Sequence, residues 1–138
     1  MSGEPGESKE QQEAERHIIS QLSSDLGLSL PSRWYTFDEV RVAVDGASSV
    51  SQVLCEAWAH IGRPKTGQKF KVMNDAMKLL FIEKRMGGPR RKILAFADEE
   101  ASRTFSSRGW HSACLRAFNI ETHTVALPPD IRQKILDA

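Results

Sequence analysis

Apolar residues recur with two different periods in the first half of the chain, and the change of period separates a helix from two strands. From Glu13 to Gly27 the apolar residues follow helical spacing, and Gly27 stands where a helix usually ends, which predicts a first helix. The stretches FDEVRVAVDG and SQVLCEAWAH alternate residue by residue instead, as strands with one apolar face do. The turn-prone residues GASS lie between them, so the pattern predicts an antiparallel hairpin.

The second half alternates between helical and strand-like segments. The stretch QKFKVMNDAMKLLFIEKRM predicts a long amphipathic helix that ends before Gly87, with an apolar stripe formed by Phe70, Met73, Met77, Leu80 and Phe81. A continuous apolar run, Ile93 to Ala97, is typical of a strand that is buried on both faces. Helical stretches EEASRTFSS and WHSACLRAFN follow, then the β-prone IETHTVAL, and two prolines open a last helix.

This order of elements predicts an α/β fold. An N-terminal helix, an antiparallel hairpin and helix-linked strands imply a mixed β-sheet that is flanked by helices on both faces. A further strand over Trp34–Phe37 would lengthen the first arm of the hairpin.

Length and composition indicate one domain. The chain has 138 residues, of which 40% are hydrophobic, enough for a single ordinary core. Residues 1–12 contain no apolar residue after the initiator methionine, and we predict a disordered acidic tail there. Residues 13–138 form the predicted single α/β domain.

Charge and cysteine usage narrow the function classes. The net charge is only +1, but the middle of the chain is basic once the acidic leader is set aside. No apolar run is long enough to span a membrane, and the N-terminus has neither the basic start nor the apolar centre of a signal peptide. Cys55 and Cys114 lie in apolar runs, which favours reduced thiols and a cytoplasmic location. Neither the cysteines nor the histidines have zinc-ligand spacing.

Two acids on the hairpin are the strongest chemical signal. The predicted register sets Asp45 opposite Glu56, Val44 opposite Ala57 and Val42 opposite Ala59, with the Cβ atoms of the two acids about 5 Å apart. Such a pair repels unless a positive charge lies between its members, and Mg²⁺ or Mn²⁺ would supply that charge. A divalent ion in this position favours phosphodiester hydrolysis, which nearby lysines would assist.

Each acid also has a simpler interpretation. Asp45 precedes Gly46 and is a common start of a turn, and Glu56 could form a structural salt bridge, for example with Arg41. Trp58 fits the core better than a base-stacking platform. Lys71 and Asp75 have the spacing of a helix-surface ion pair. These alternatives stay open at the level of sequence.

The combination resembles the core of the PD-(D/E)XK nuclease superfamily. A helix, a strand that carries Asp45, a strand that carries Glu56, a helix and a further strand follow one another, and the resemblance covers roughly Glu13 to Leu127. The block EAWAHIGRPKTGQKFKVMNDAMKL is also similar to one in small bacterial members of that superfamily. The resemblance implies a restriction-endonuclease-like core in which Asp45 and Glu56 bind the metal, with Glu15 of the first helix as an additional ligand.

One position departs from the family pattern. The family has a lysine two residues after the strand Glu, and this chain has Trp58 there. Some members supply the lysine from the following helix, which nominates Lys69 or Lys71, with Lys65 as a third choice. The resemblance thus implies a magnesium-dependent nuclease that acts on DNA, with Asp45, Glu56, Lys69 and Lys71 as catalytic residues.

A second hypothesis follows from the same departure. A nuclease-like domain that no longer cuts could bind nucleic acid or a protein partner through its basic loop and hairpin. A third treats the chain as one half of a homodimer or as a subunit of a larger system. We expect no membrane partner.

Overall fold

The computed structural model describes residues 8–138, which form five helices and six strands. In chain order they are α1 (Lys9–Leu26), β1 (Arg33–Phe37), β2 (Val40–Val44), β3 (Gly46–Ala47), β4 (Val53–Trp58), α2 (Thr66–Met86), β5 (Arg91–Phe96), α3 (Glu99–Ser106), α4 (Trp110–Ala117), β6 (Ile120–Thr124) and α5 (Pro129–Asp137). None of the helices in this described part combines the length and the apolar character that a membrane crossing needs.

The strands form a mixed four-stranded sheet and a separate hairpin, which confirms the predicted α/β class. The sheet has the order β3-β4-β5-β6, in which β3 runs antiparallel to β4, and β4, β5 and β6 run parallel to one another. The strands β1 and β2 pair antiparallel with each other. Parallel neighbours require crossovers, and α2 and the α3–α4 pair supply them.

The predicted hairpin of β2 with β4 is only partly correct. The pair Gly46 and Cys55 keeps the predicted register, but Val42 pairs with Tyr35 of β1 and not with Ala59. A two-residue turn joins β1 to β2, and so short a connection makes their pairing the local choice. The Trp34–Phe37 segment is therefore a partner of the first arm and not its extension.

Two apolar cores lie on opposite faces of the sheet. Alternate residues of β4 face α1 and α5 on one side, so Cys55 and Ala57 pack with Ile18 of α1. The other β4 residues face α2 and the α3–α4 pair, so Leu54 and Trp58 pack with residues of those helices. All six residues of β4 are buried, as expected of a central strand with helices on both faces.

Helix α2 turns a different stripe to the core from the predicted one. Its buried residues are Val72, Ala76, Leu79 and Ile82. The prediction that the larger apolar residues face the core is wrong for Phe70 and Met77, which are each 66% exposed. Both stripes have helical spacing, so the choice between them depends on shape. The smaller side chains of the buried stripe let the helix approach the sheet closely.

Helix α1 begins earlier than predicted. Ser8 caps it in a reciprocal arrangement, in which the Ser8 side chain accepts from the Gln11 N–H and the Gln11 side chain accepts from the Ser8 N–H. Residues 9–12, which the sequence assigns to the acidic tail, are therefore helical. The rest of the predicted tail, residues 1–7, lies outside the described residues.

Candidate functional site

The side chains of Asp45 and Glu56 each accept a backbone hydrogen bond across the gap between their two chain segments. The backbone N–H of Asp45 donates to Glu56 Oε2 at 3.0 Å, and the backbone N–H of Ala57 donates to Asp45 Oδ2 at 2.8 Å. The two side chains also interact through their charges, since Asp45 raises the pKa of Glu56. The predicted juxtaposition of the two acids is thus present in the structure.

Asp45 belongs to no strand, which is what frees its N–H for the side chain of Glu56. It lies between β2, which pairs with β1, and β3, which pairs with β4. Val44 and Ala57, which the predicted register sets face to face, lie in different cores, so the pairing does not continue past Asp45. The break in the ladder positions the carboxylate of Asp45 over the backbone of β4.

Gly46 fixes the approach of β3 to β4. A Cβ atom at this residue would lie 2.8 Å from Cys55 Sγ and 3.0 Å from the carbonyl oxygen of Leu30. The Cys55 thiol also donates to the Gly46 carbonyl at 3.3 Å. Only glycine fits so close to its neighbours, and this contact holds the register that brings Asp45 to Glu56.

The environment of Glu56 opposes its negative charge. Its side chain is 3% exposed. Burial raises the pKa of Glu56 well above its usual value, and the nearby charge of Asp45 raises it further, while Lys78 acts in the opposite direction. The same burial, with the charges of Glu56 and Asp45, raises the pKa of the Cys55 thiol and keeps it neutral. A buried carboxyl group in this environment favours a proton or a cation as its partner.

Lys78 of α2 provides that cation in the described structure. Its Nζ forms an ion pair with Glu56 Oε1 and lies 4.0 Å from Asp75 Oδ1. Burial alone would lower the pKa of Lys78, but the charges of Glu56 and Asp75 raise it above its ordinary value. An ammonium group from the neighbouring helix therefore stays charged against the acidic pair.

The lysines predicted from sequence lie elsewhere on the same helix. Lys71 is exposed and lies two turns before Lys78, and Lys69 is half-buried near the start of α2. Lys65 is the exposed residue that precedes the helix. The lysine that contacts the strand Glu is Lys78, which the sequence analysis missed. The missed signal was the position along α2, because Lys71 and Lys78 both precede a residue of the buried stripe, Val72 and Leu79, and only the second of them reaches Glu56.

Glu15 lies in a different layer from α2. It is buried on α1, the helix that packs on the Cys55 and Ala57 face of β4. Among residues 8–138 no group of three or more acidic, histidine or cysteine side chains is arranged to hold a metal ion. The structure therefore brings together Asp45 and Glu56 but does not complete a three-ligand cluster with Glu15.

The donor set nevertheless suits a hard divalent ion. Mg²⁺ and Mn²⁺ are commonly bound by one or two carboxylates, with water and substrate phosphate as the other ligands. Here two neighbouring carboxyl groups each accept a hydrogen bond from the backbone. Burial and the charge of Asp45 raise the pKa of Glu56, so an added positive charge beside it would be favourable. Asp45 and Glu56 are the residues that would hold such an ion.

A cavity of about 420 Å³ adjoins this pair on the side of α1. Asp45 lines it together with Arg16, Ser20, Leu30, Pro31 and Ser32. Glu56 lies beneath, buried by α2. The carboxylate that solvent and small ligands reach first is therefore that of Asp45.

Trp58 and His60 continue the same face of β4 beyond Glu56. The Trp58 ring is buried among the core residues beneath α2, so it forms a wall of the core. Its centroid lies 4.3 Å from that of His60. The amides of Gln11 and Gln68 approach His60 Nδ1 at 3.2 and 3.4 Å, so this ring joins the N-terminal ends of α1 and α2.

No protein-family model, no curated protein and no solved structure matches this chain.

Proposed function

We propose that the chain is a metal-dependent phosphodiesterase that acts on DNA, with a PD-(D/E)XK-like site formed by Asp45, Glu56 and Lys78. The observation that carries the proposal is that Glu56, which accepts a hydrogen bond from the backbone of Asp45, also forms an ion pair with a lysine of the following helix. An acidic pair is costly to bury unless its charge is balanced. The burial of Glu56 in the central strand β4 therefore favours a cation-binding role for the acidic pair.

The order and direction of the elements support the same proposal. Asp45 lies on an arm that runs antiparallel to β4, and β4 carries Glu56 and runs parallel to β5. The crossover between β4 and β5 is α2, which brings Lys78 to Glu56. The resemblance implies this arrangement, including a lysine that has moved from the strand to the helix.

Each residue has a distinct task in the proposal. Asp45 and Glu56 would bind Mg²⁺ or Mn²⁺, which would polarise a phosphoryl oxygen and lower the pKa of a bound water. Lys78 stabilises the ionised form of Glu56, and its ammonium group would stabilise negative charge that develops on a bound phosphate. The sequence nominates Lys69 or Lys71 as the catalytic lysine. We propose Lys78 in that role because it contacts Glu56, and we propose contacts to the DNA backbone for the half-buried Lys69 and the exposed Lys71.

One observation favours the non-catalytic alternative. Glu56 Oε1 contacts Lys78, and Glu56 Oε2 accepts from the backbone of Asp45, so both oxygens already have partners within the protein. A fold that keeps this internal ion pair would bind nucleic acid or a protein without cutting it. Metal binding requires that Lys78 be displaced from Glu56 or share it.

Cleavage of plasmid and oligonucleotide DNA in Mg²⁺ and in Mn²⁺ separates the two functions. We expect Asp45→Asn and Lys78→Ala each to lower the cleavage rate by about 10²-fold or more. Lys71→Ala is the matched control, because it removes the same charge from the same helix, and it should change the rate only a few-fold. Cleavage that Asp45→Asn leaves unchanged would remove the proposed ligand and refute the assignment.

A further inference from the structure

The edge strand β6 presents a row of unpaired backbone groups. No other strand of residues 8–138 pairs with its outer margin. The N–H of Val125 donates to the Phe96 carbonyl of β5, and in a parallel ladder alternate residues point to the same neighbour. Residues 121, 123 and 125 therefore face β5, and Ile120, Thr122 and Thr124 direct their N–H and C=O groups outward.

The side chains of β6 are self-complementary when the strand meets a second copy of itself. A twofold axis through Thr122 sets Glu121 of one copy opposite His123 of the other, and Ile120 opposite Thr124. The outward-facing residues then meet as hydrogen-bonded pairs, so the backbone groups of all three are satisfied. A register centred on Glu121 would set two carboxylates against each other at the axis, and one centred on His123 would pair two histidines there. The register centred on Thr122 pairs only two hydroxyl groups at the axis.

Contacts within one copy already hold the Glu121 carboxylate in position for a partner across the twofold axis. Arg91 donates two hydrogen bonds to Glu121, at 2.7 and 2.9 Å, and His123 Nε2 lies 3.2 Å from Glu121 Oε1. The guanidinium of Arg91 and the ring of His123 lower the pKa of Glu121 and keep it ionised. A second histidine opposite this carboxylate finds an acceptor that is fixed in position.

Space beside the strand is available for the second copy. A cavity of about 590 Å³ runs along the edge, between β6 and the α3–α4 pair, and Ser112, Arg116, Glu121, Thr122 and His123 are among its lining residues. Thr124 is exposed, and Phe118, just before the strand, is 51% exposed. An open edge of this kind is a template for pairing with another strand.

We propose that β6 is a dimerisation edge, at which two copies of this chain pair antiparallel about Thr122 and continue the sheet across both. The proposal is independent of the phosphodiesterase site, since it uses no residue of that site. Symmetric pairing of one patch with itself is the commonest arrangement in homodimers.

Sedimentation equilibrium or light scattering of the full chain tests this edge. We expect a mass twice the 15.5 kDa of one chain. Thr122→Pro removes an outward N–H and no hydrogen bond to β5, so the variant should be monomeric with an unchanged circular dichroism spectrum. Thr122→Val is the matched control and should remain dimeric.

A charge exchange tests the register without proline. His123→Glu sets Glu121 against a carboxylate and should raise the dimer dissociation constant about tenfold or more. Adding Glu121→His to His123→Glu restores opposite partners and should recover most of the affinity. A monomeric wild type, or a dimer that survives both Thr122→Pro and His123→Glu, would overturn the proposal. A monomeric wild type would leave a strand from a different protein as the remaining candidate to pair with β6.

Discussion

Lys78 of α2 forms an ion pair with Glu56 of β4 across the interface between helix and sheet, and Glu56 is 3% exposed there. The lysine is partly open to solvent, whereas the carboxylate is enclosed. The pair thus connects the proposed site to the surface through its basic member. It also makes the stability of the fold depend on the charge state of the site.

Loss of the lysine should destabilise the protein. Lys78→Met leaves Glu56 buried without its cation, and we expect the free energy of unfolding to fall by about 1–3 kcal/mol, since Glu56 can take up a proton in compensation. Urea denaturation measures the change. Lys71→Met removes a charge from an exposed position two turns earlier on the same helix and should stay within about 0.5 kcal/mol of wild type. An equal loss in both variants would contradict the role of the ion pair.

The raised pKa of Glu56 gives stability a definite dependence on pH. Its folded-state pKa exceeds the usual 4.5, so the folded protein binds more protons than the unfolded chain in the window above 4.5. The contribution of Glu56 is fully present below that value and is lost as the pH rises through the folded pKa. Glu56→Gln should remove this loss, so its stability relative to wild type should increase from pH 4.5 upward.

The variant and wild type should be compared by urea denaturation at several pH values. A difference between them that does not vary with pH would show that Glu56 titrates normally in the folded protein.

Divalent ions should stabilise the protein if the acidic pair binds them. At a concentration 100 times the dissociation constant, a ligand of the folded state adds about 2.7 kcal/mol to the free energy of unfolding. We expect Mg²⁺ and Mn²⁺ to raise the melting temperature, and Asp45→Asn and Glu56→Gln to abolish the increase. Glu13→Gln removes an acid from α1, away from the pair, and should respond like wild type. A melting temperature that neither ion changes would favour the alternative of a nuclease-like domain that binds nucleic acid or a protein partner without cutting.

The close approach at Gly46 should tolerate no side chain. Gly46→Ala places a methyl group 2.8 Å from Cys55 Sγ, so we expect a loss of about 1–3 kcal/mol in calorimetry or urea denaturation. Gly67→Ala is the control, since nothing lies within 4 Å of the place that its methyl group would take in the first turn of α2, and it should be neutral or stabilising. Cys55→Ala in combination with Gly46→Ala should recover part of the loss, because the Leu30 carbonyl remains close.

The order of helices and strands could be read from the sequence because each segment has one clear period. The β4 residues alternate in direction as predicted, although both faces of the strand are buried and not only one, and the register at Gly46 and Cys55 follows from the same alternation. The contact of Asp45 with Glu56 could therefore be anticipated. These features depend on neighbours along the chain or on a single strand pair.

The predictions that were wrong are those for which the sequence allows two alternatives, namely two apolar stripes on α2 and two pairing partners for β2. Helix α2 has two apolar stripes, and the larger residues Phe70 and Met77 made the outer one look like the core. Lys71 and Lys78 lie two turns apart on nearly the same face of α2, so the two differ in their position along the helix axis. The sequence analysis favoured the lysines in the first turns after β4, whereas the lysine that meets Glu56 lies further along the helix. Likewise, β2 could pair with β1 or with β4, and alternation alone does not decide which. Only the packed structure distinguishes these alternatives.

Asp45 is the single residue between the β1–β2 hairpin and the four-stranded sheet. The hairpin rests on α2 through the edge-to-face contact of Phe37 with Phe81, whose ring centroids are 5.8 Å apart. The Tyr35 hydroxyl, which shares a hydrogen bond of 2.7 Å with Ser51, anchors the hairpin at a second place. The backbone of Asp45 thus links two separately anchored units, and the carboxylate that lines the cavity lies at their junction.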